Sequence, residues 1–272
     1  MKTRILSGVC IFAFLLILVF TSGIPFILNL IMAAVATAGI YEILKVAGLH
    51  TRKLMTVGAM AYAAIFVFCA DPAIPFYREI HILLTFLLFI AALTYYLKDY
   101  KNTKLPDLTF ALFMAVLVAW FFGAVILTRR TEFGFWNLVM IFILAWVPDT
   151  GAYFCGSLFG KHKLAPVISP KKTVEGAVGG LVICVAISFL CAFVVSLFGA
   201  KVNYPIVAAY AIPGTLISIL GDLTASLIKR YYNVKDYGNL IPGHGGIMDR
   251  FDSIWFVAPF MYLMTQICPI FS

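Results

Sequence analysis

Apolar stretches recur along the chain with short polar breaks between them, near residues 5–21, 24–46, 54–70, 77–97, 107–127, 135–159, 173–199, 204–231 and 254–271. Several approach the ~20 residues that a membrane-spanning helix needs, while the first and third are short. The breaks carry Gly23 and Pro25, Asp71-Pro72 and Pro75, Pro106, Gly134, Pro170, Pro205 and Pro242-Gly243, all residues that end helices or start turns. The pattern predicts an all-α fold: a polytopic integral membrane helix bundle of about nine transmembrane helices. Pro148-Asp149 interrupts the sixth stretch. The opening run has the charge and apolar core of a signal peptide, but it lacks a small-residue cleavage site, so a retained first helix is expected.

Composition agrees with the pattern. Of the 272 residues 63% are hydrophobic and 12% charged, and the mean hydropathy is +1.01, so the solvent for most of this surface is lipid. The six cysteines are scattered through apolar segments without paired spacing and read as small buried hydrophobes. The net charge of +8 invites a nucleic-acid reading, but the positions of the charges argue against one. With the N-terminus and the loops after helices two, four, six and eight on one side, that side holds sixteen of the twenty Lys and Arg residues. The other side keeps Arg78, Arg129, Arg130 and Lys201. Basic residues accumulate on the cytoplasmic side, so the N-terminus and the 160–172 and 232–252 loops are expected there and the C-terminus outside. No nucleic-acid partner is expected. The whole chain, 1–272, reads as a single transmembrane domain. Its helices over 1–130 serve as scaffold, and the part over 135–272 carries the chemistry.

The first five spans say little about chemistry. Glu42 reads as a surface charge beside Lys45, and His50 and His81 as lone histidines near the interfaces. Three carboxylates lie within or against apolar segments: Asp149, Glu175 and Asp222. Each costs ~2.5–3.5 kcal/mol at a helix centre, so each is a functional candidate unless a basic neighbour neutralises it. Thr215, Ser218, Asp222, Ser226 and Lys229 recur three or four residues apart and form one polar stripe, which must face the bundle interior or a water-filled cavity. The stripe leads into the most polar stretch of the chain, residues 221–253, which holds four of the twelve acidic residues and four basic ones.

That stretch contains Lys229-Arg230, Lys235-Asp236 and Pro242-Gly243-His244-Gly245-Gly246. Glycines let a backbone turn its N–H groups toward an anion. Asp249, Arg250 and Asp252 follow at the entrance of the last helix. Acids there serve as caps, but together with Asp222 they also supply the hard oxygen ligands that suit Mg²⁺. A second constellation runs Asp149-Thr-Gly-Ala-Tyr153, Gly160-Lys-His-Lys163 and Ser169-Pro-Lys171-Lys172-Thr-Val-Glu175-Gly176. On the same side as 221–253, Lys171 and Lys172 read either as a phosphate clamp or as ordinary basic flanks.

The run Ser226-Leu-Ile-Lys229-Arg230, four residues, Lys235-Asp236, then Pro242-Gly-His244-Gly245-Gly246-Ile-Met-Asp249-Arg250-Phe-Asp252 resembles the signature of phosphatidate cytidylyltransferases, the CDP-diacylglycerol synthases. The upstream motifs resemble that family too, with Val174 where an aromatic is more usual. The resemblance covers 149–253. It implies a multi-pass enzyme of the bacterial inner membrane, with its active site facing the cytoplasm, that joins CTP to phosphatidate and releases pyrophosphate. Carried over, Asp222 and Asp249 would hold Mg²⁺, with a second cation such as K⁺ alongside. Asp222, Asp249, Lys229, Asp252 and His244 would form the catalytic set. Lys171, Lys172, Ser226, Arg230, Lys235, Asp236, Gly245, Gly246, Arg250 and Asp149 would bind substrate. The expected assembly is a homodimer. Two other readings stay open. One is a CDP-alcohol phosphotransferase, although here the order is Gly221-Asp222 and only Gly245-x-x-x-Asp249 agrees. The other is an ion-coupled transporter, whose polar groups belong near the bilayer midplane.

Overall fold

The computed structural model describes residues 13–243 and 245–272. Readings that concern residues 1–12 or His244 fall outside the described residues. Nine helices are present among the described residues: α1 (13–21), α2 (Ile27–Val46), α3 (Lys53–Phe68), α4 (Tyr77–Lys98), α5 (Leu105–Arg129), α6 (Gly134–Phe159), α7 (Val174–Leu197), α8 (Tyr204–Tyr231) and α9 (Met248–Ile267). Six of them, α2 and α4–α8, are long and apolar enough to cross a membrane. The protein is an all-α membrane bundle. One hairpin is added to the helices, β1 (Lys163–Ala165) paired antiparallel with β2 (Ser169–Thr173).

Local chemistry accounts for several boundaries. Pro106 and Pro205 stand in the first turns of α5 and α8, where a missing N–H costs nothing. Thr173 caps α7, its Oγ1 accepting the Gly176 amide at 3.1 Å. Two boundaries differ from the sequence pattern. The helix of the sixth stretch runs unbroken through Pro148, and α9 begins at Met248 instead of near 254. Pro148 forfeits one backbone bond, a loss membrane helices tolerate when a neighbour packs against the gap. Beside the proline α7 comes close: a Cβ on Gly180 would stand 2.5 Å from the Pro148 carbonyl, so only glycine allows the approach. Gly151 faces Gly180 in the same seam, with 3.0 Å left for a Cβ. Small residues thus let α6 and α7 pack backbone to backbone where lipid offers no hydrophobic drive.

The chain divides into two compact units. The first comprises residues 1–130 and 234–250, so the polar loop groups with the N-terminal helices. Its core is α2, α3 and α5, with α4 against α3 and α5. Its ends are fastened by polar contacts, including a buried Asp71 that takes Arg130 Nη2 at 2.7 Å. His81 is buried, stacked on Phe66, with Nε2 3.0 Å from the Phe66 carbonyl, a packing role. The second unit comprises residues 131–233 and 251–272 and is built on α6, α7 and α8, with the hairpin lying on α6 and α7.

Candidate active site

In the second unit, the polar stripe of α8 turns inward. Thr215, Ser218, Ser226 and Lys229 are buried, and Ser218 Oγ donates to the Ala145 carbonyl of α6 at 3.0 Å. Asp222 lies on this stripe. Lys172, from β2, forms an ion pair with its Oδ2. The same ammonium donates to Asp149 Oδ1 of α6 at 3.2 Å, and Ser253 Oγ of α9 donates to Asp149 Oδ2, also at 3.2 Å. Two helices therefore converge on one cation from the hairpin, and α9 braces the arrangement through Asp149. Gly221 permits the approach of α9, since a Cβ there would stand 2.9 Å from the Asp252 carbonyl. Asp252 itself is buried, and its Oδ1 accepts the Ser253 amide at 2.9 Å.

The hairpin explains why two adjacent lysines differ. Successive side chains of a strand point to opposite faces, so Lys172 is turned in and Lys171 out to solvent. Burial works to lower the Lys172 ammonium, but the Asp149 and Asp222 carboxylates outweigh it and hold its pKa above the ordinary value. Arg230 Nε reaches the Ile168 carbonyl at 3.2 Å and so ties the end of α8 to the hairpin turn. Glu175 accepts the amides of Lys161 and His162, at 3.0 and 3.2 Å, and pairs with His162 Nδ1 at 2.6 Å. It braces the base of the hairpin.

In the first unit, the glycine-rich loop does turn its amides toward anions, and the anions are the chain's own carboxylates. Asp249 is buried, and its Oδ2 accepts the Tyr237 and Gly246 amides at 2.8 and 2.9 Å. Gly243 and Gly245 adopt φ of 77° and 87°, the left-handed region that glycine enters without strain. An Ile241–Gly245 backbone bond of 2.9 Å closes this tight turn. Lys235 and Asp236 are exposed.

Glu42 was misread in the sequence as a surface charge. It is buried, and its Oε1 and Oε2 accept the Ile247 and Met248 amides at 3.0 and 2.9 Å. The available signal was its place as the lone acid of an apolar helix, the same signal that singled out Asp222.

Among the described residues no group of three His, Cys, Asp or Glu side chains is placed to cage a metal. Mg²⁺ does not require such a cage. It commonly takes one or two carboxylates and completes its shell with water and substrate phosphate. Lys172 offsets only one of the two charges of Asp149 and Asp222, so the pair keeps one net negative charge and hard oxygens that fit that requirement.

Comparison with known proteins bears on this chemistry. The model of the cytidylyltransferase family matches residues 2–268. The chain is similar to the phosphatidate cytidylyltransferase of Bacillus subtilis (strain 168), 35% identical over 276 residues covering 97% of each chain. It is 33% identical to that of Haemophilus influenzae over 283 residues covering 96% of each. With that of Staphylococcus haemolyticus it shares 43% over 131 residues, 48% of this chain and 49% of the other. A family model spanning nearly the whole chain and relatives matched end to end, on a membrane bundle with an ionic centre, make this protein an enzyme of the cytidylyltransferase family.

Proposed function

We propose that this enzyme transfers the cytidylyl group of CTP to phosphatidate, yielding CDP-diacylglycerol and pyrophosphate, at the cytoplasmic face of a bacterial inner membrane. The observation that carries the reading is the shared ammonium of Lys172, held between Asp149 and Asp222 on two helices long and apolar enough to span. Such a centre suits a substrate that is ionic at one end and lipid at the other. The relatives' names supply the acceptor, phosphatidate.

The chemistry needs little beyond alignment and charge. A phosphate oxygen of phosphatidate attacks the α-phosphorus of CTP, forming one P–O bond. The bond from the α-phosphorus to the bridging oxygen breaks, and the electron pair leaves with pyrophosphate. The lipid phosphate is already anionic at neutral pH, so no general base is required. Positioning and charge neutralisation supply the acceleration. Lys172, Lys229, Arg230, Lys235, Arg250 and His244 are proposed to meet phosphate oxygens. Asp222 and Asp249 are the proposed Mg²⁺ ligands, with Asp149 beside Asp222. When bound, the ion supplies positive charge against the triphosphate. For Asp249, two amide bonds fix the carboxylate's orientation, as hydrogen bonds commonly do for ligating acids.

Turnover is the direct test. Purified protein, CTP, phosphatidate and Mg²⁺ should give CDP-diacylglycerol and pyrophosphate in equal amounts. Folded protein that forms neither, or that instead consumes CDP-diacylglycerol with an alcohol, would overturn the assignment. Sidedness is tested separately: thiol labelling of Val167→Cys and Asn239→Cys in a cysteine-free background should come from the cytoplasmic side for both.

A further inference from the structure

Glu42 is the single acidic residue of α2 and is buried to 6% exposure. A buried acid in a membrane helix is costly and persists only with partners. Its partners are the Ile247 and Met248 amides, donors at the very start of α9 that the helix itself cannot satisfy. Glu42 therefore does from a helix 205 residues away what an N-cap side chain does locally. The fit is close on every side. A Cβ at Gly238 would stand 2.6 Å from Glu42 Oε1, and one at Gly246 would collide with both carboxylate oxygens. One turn earlier on α2, Gly39 makes room for Met248, whose Sδ would lie 3.0 Å from a Cβ there. The start of α9 is thus held to α2 by two amide bonds and a packed methionine. Asp249 and Arg250 follow in the same helical turn.

We infer that Glu42 is a positioning residue, which sets where Asp249 and Arg250 stand toward the CTP phosphates. This rests on the cytidylyl-transfer reading above. The test uses the full-length purified protein and two variants: Glu42→Ala, which removes both acceptors, and Glu42→Gln, which keeps one. Amide hydrogen exchange across 245–250 should quicken at least about tenfold in Glu42→Ala and less in Glu42→Gln, as each bond is lost. In the same proteins, kcat/KM for CTP should fall about ten- to a hundredfold, the cost of hydrogen bonds to a charged group. The KM for CTP should rise while that for phosphatidate stays put, whereas a general loss of folded enzyme would lower kcat and leave both KM values unchanged. If Glu42→Ala does not fold, Glu42→Gln carries the same two readouts. Unchanged exchange, or equal changes in both KM values, overturns the inference. Wild-type protein that fails to turn over CTP and phosphatidate overturns the proposed function instead, and exchange alone then judges the clamp.

Discussion

Replacing Lys172 by glutamine removes a cation shared by Asp149 and Asp222, and each lost contact has its own cost. The Lys172 and Asp222 side chains are 20% and 18% exposed, so their bond keeps the ~1.5–3 kcal/mol of a hydrogen bond between charged groups. The Asp149 side chain is 38% exposed, and solvent screening reduces that contact to the ~0–1 kcal/mol of a surface pair. Together they give about 1.5–4 kcal/mol of folding stability, while loss of the ammonium's proposed contact with the reacting phosphates should separately lower kcat/KM about ten- to a hundredfold. Lys163→Gln is the control. It is exposed on the paired strand β1 and lies outside the substrate-binding set, and it should change kcat/KM by no more than about twofold, within the ±0.5 kcal/mol usual for surface substitutions. Pairing Lys172→Gln with Asp149→Asn should recover part of the lost stability, because the double variant no longer leaves that carboxylate uncompensated. Steady-state kinetics with CTP and phosphatidate varied separately, beside thermal unfolding in detergent, is the assay. Lys172→Gln at wild-type efficiency, or a loss equalled by Lys163→Gln, would refute the reasoning. The pH behaviour follows with its sign. A folded-state pKa raised above the unfolded value stabilises the protein fully below about 10.5, and the contribution fades as pH climbs through the folded value. The Lys172 bridges should therefore cause no loss of stability around neutral pH.

Asp222→Asn should abolish turnover while the protein still purifies folded, and chelation of Mg²⁺ followed by its return should stop and restore wild-type turnover; activity in chelator would refute the metal reading. Gly245→Ala forces a side chain into φ 87° and sets its Cβ 2.8 Å from Asp249 Oδ2, so CTP turnover should fall with helix content unchanged by circular dichroism. Arg130→Gln strands the buried Asp71 carboxylate and should destabilise the protein by about 3 kcal/mol, read as a lowered melting temperature with KM values unaltered.

The membrane bundle was legible in the sequence because lipid imposes a one-dimensional constraint. A spanning segment must be long, apolar and internally hydrogen-bonded, so α2 and α4–α8 announce themselves by composition. The α8 stripe was legible for the same reason: polar groups three or four residues apart in an apolar helix have only one place to face. The glycines of 243–246 signalled turned amides, because left-handed backbone is written into the residue type. What those amides meet was decided in three dimensions. Gly246, Ile247 and Met248 donate to Asp249 and Glu42, and nothing in sequence joins position 42 to position 247. The same holds for the bridges of Lys172. Sequence offered Lys171 and Lys172 as equals, and the β1–β2 hairpin separated them by turning one inward. That hairpin is short, polar and flanked by helices, so its pairing leaves no periodic trace. Likewise Pro148 looked like an interruption until α7 closed on it through Gly180, a contact between backbones that no pattern of side chains encodes.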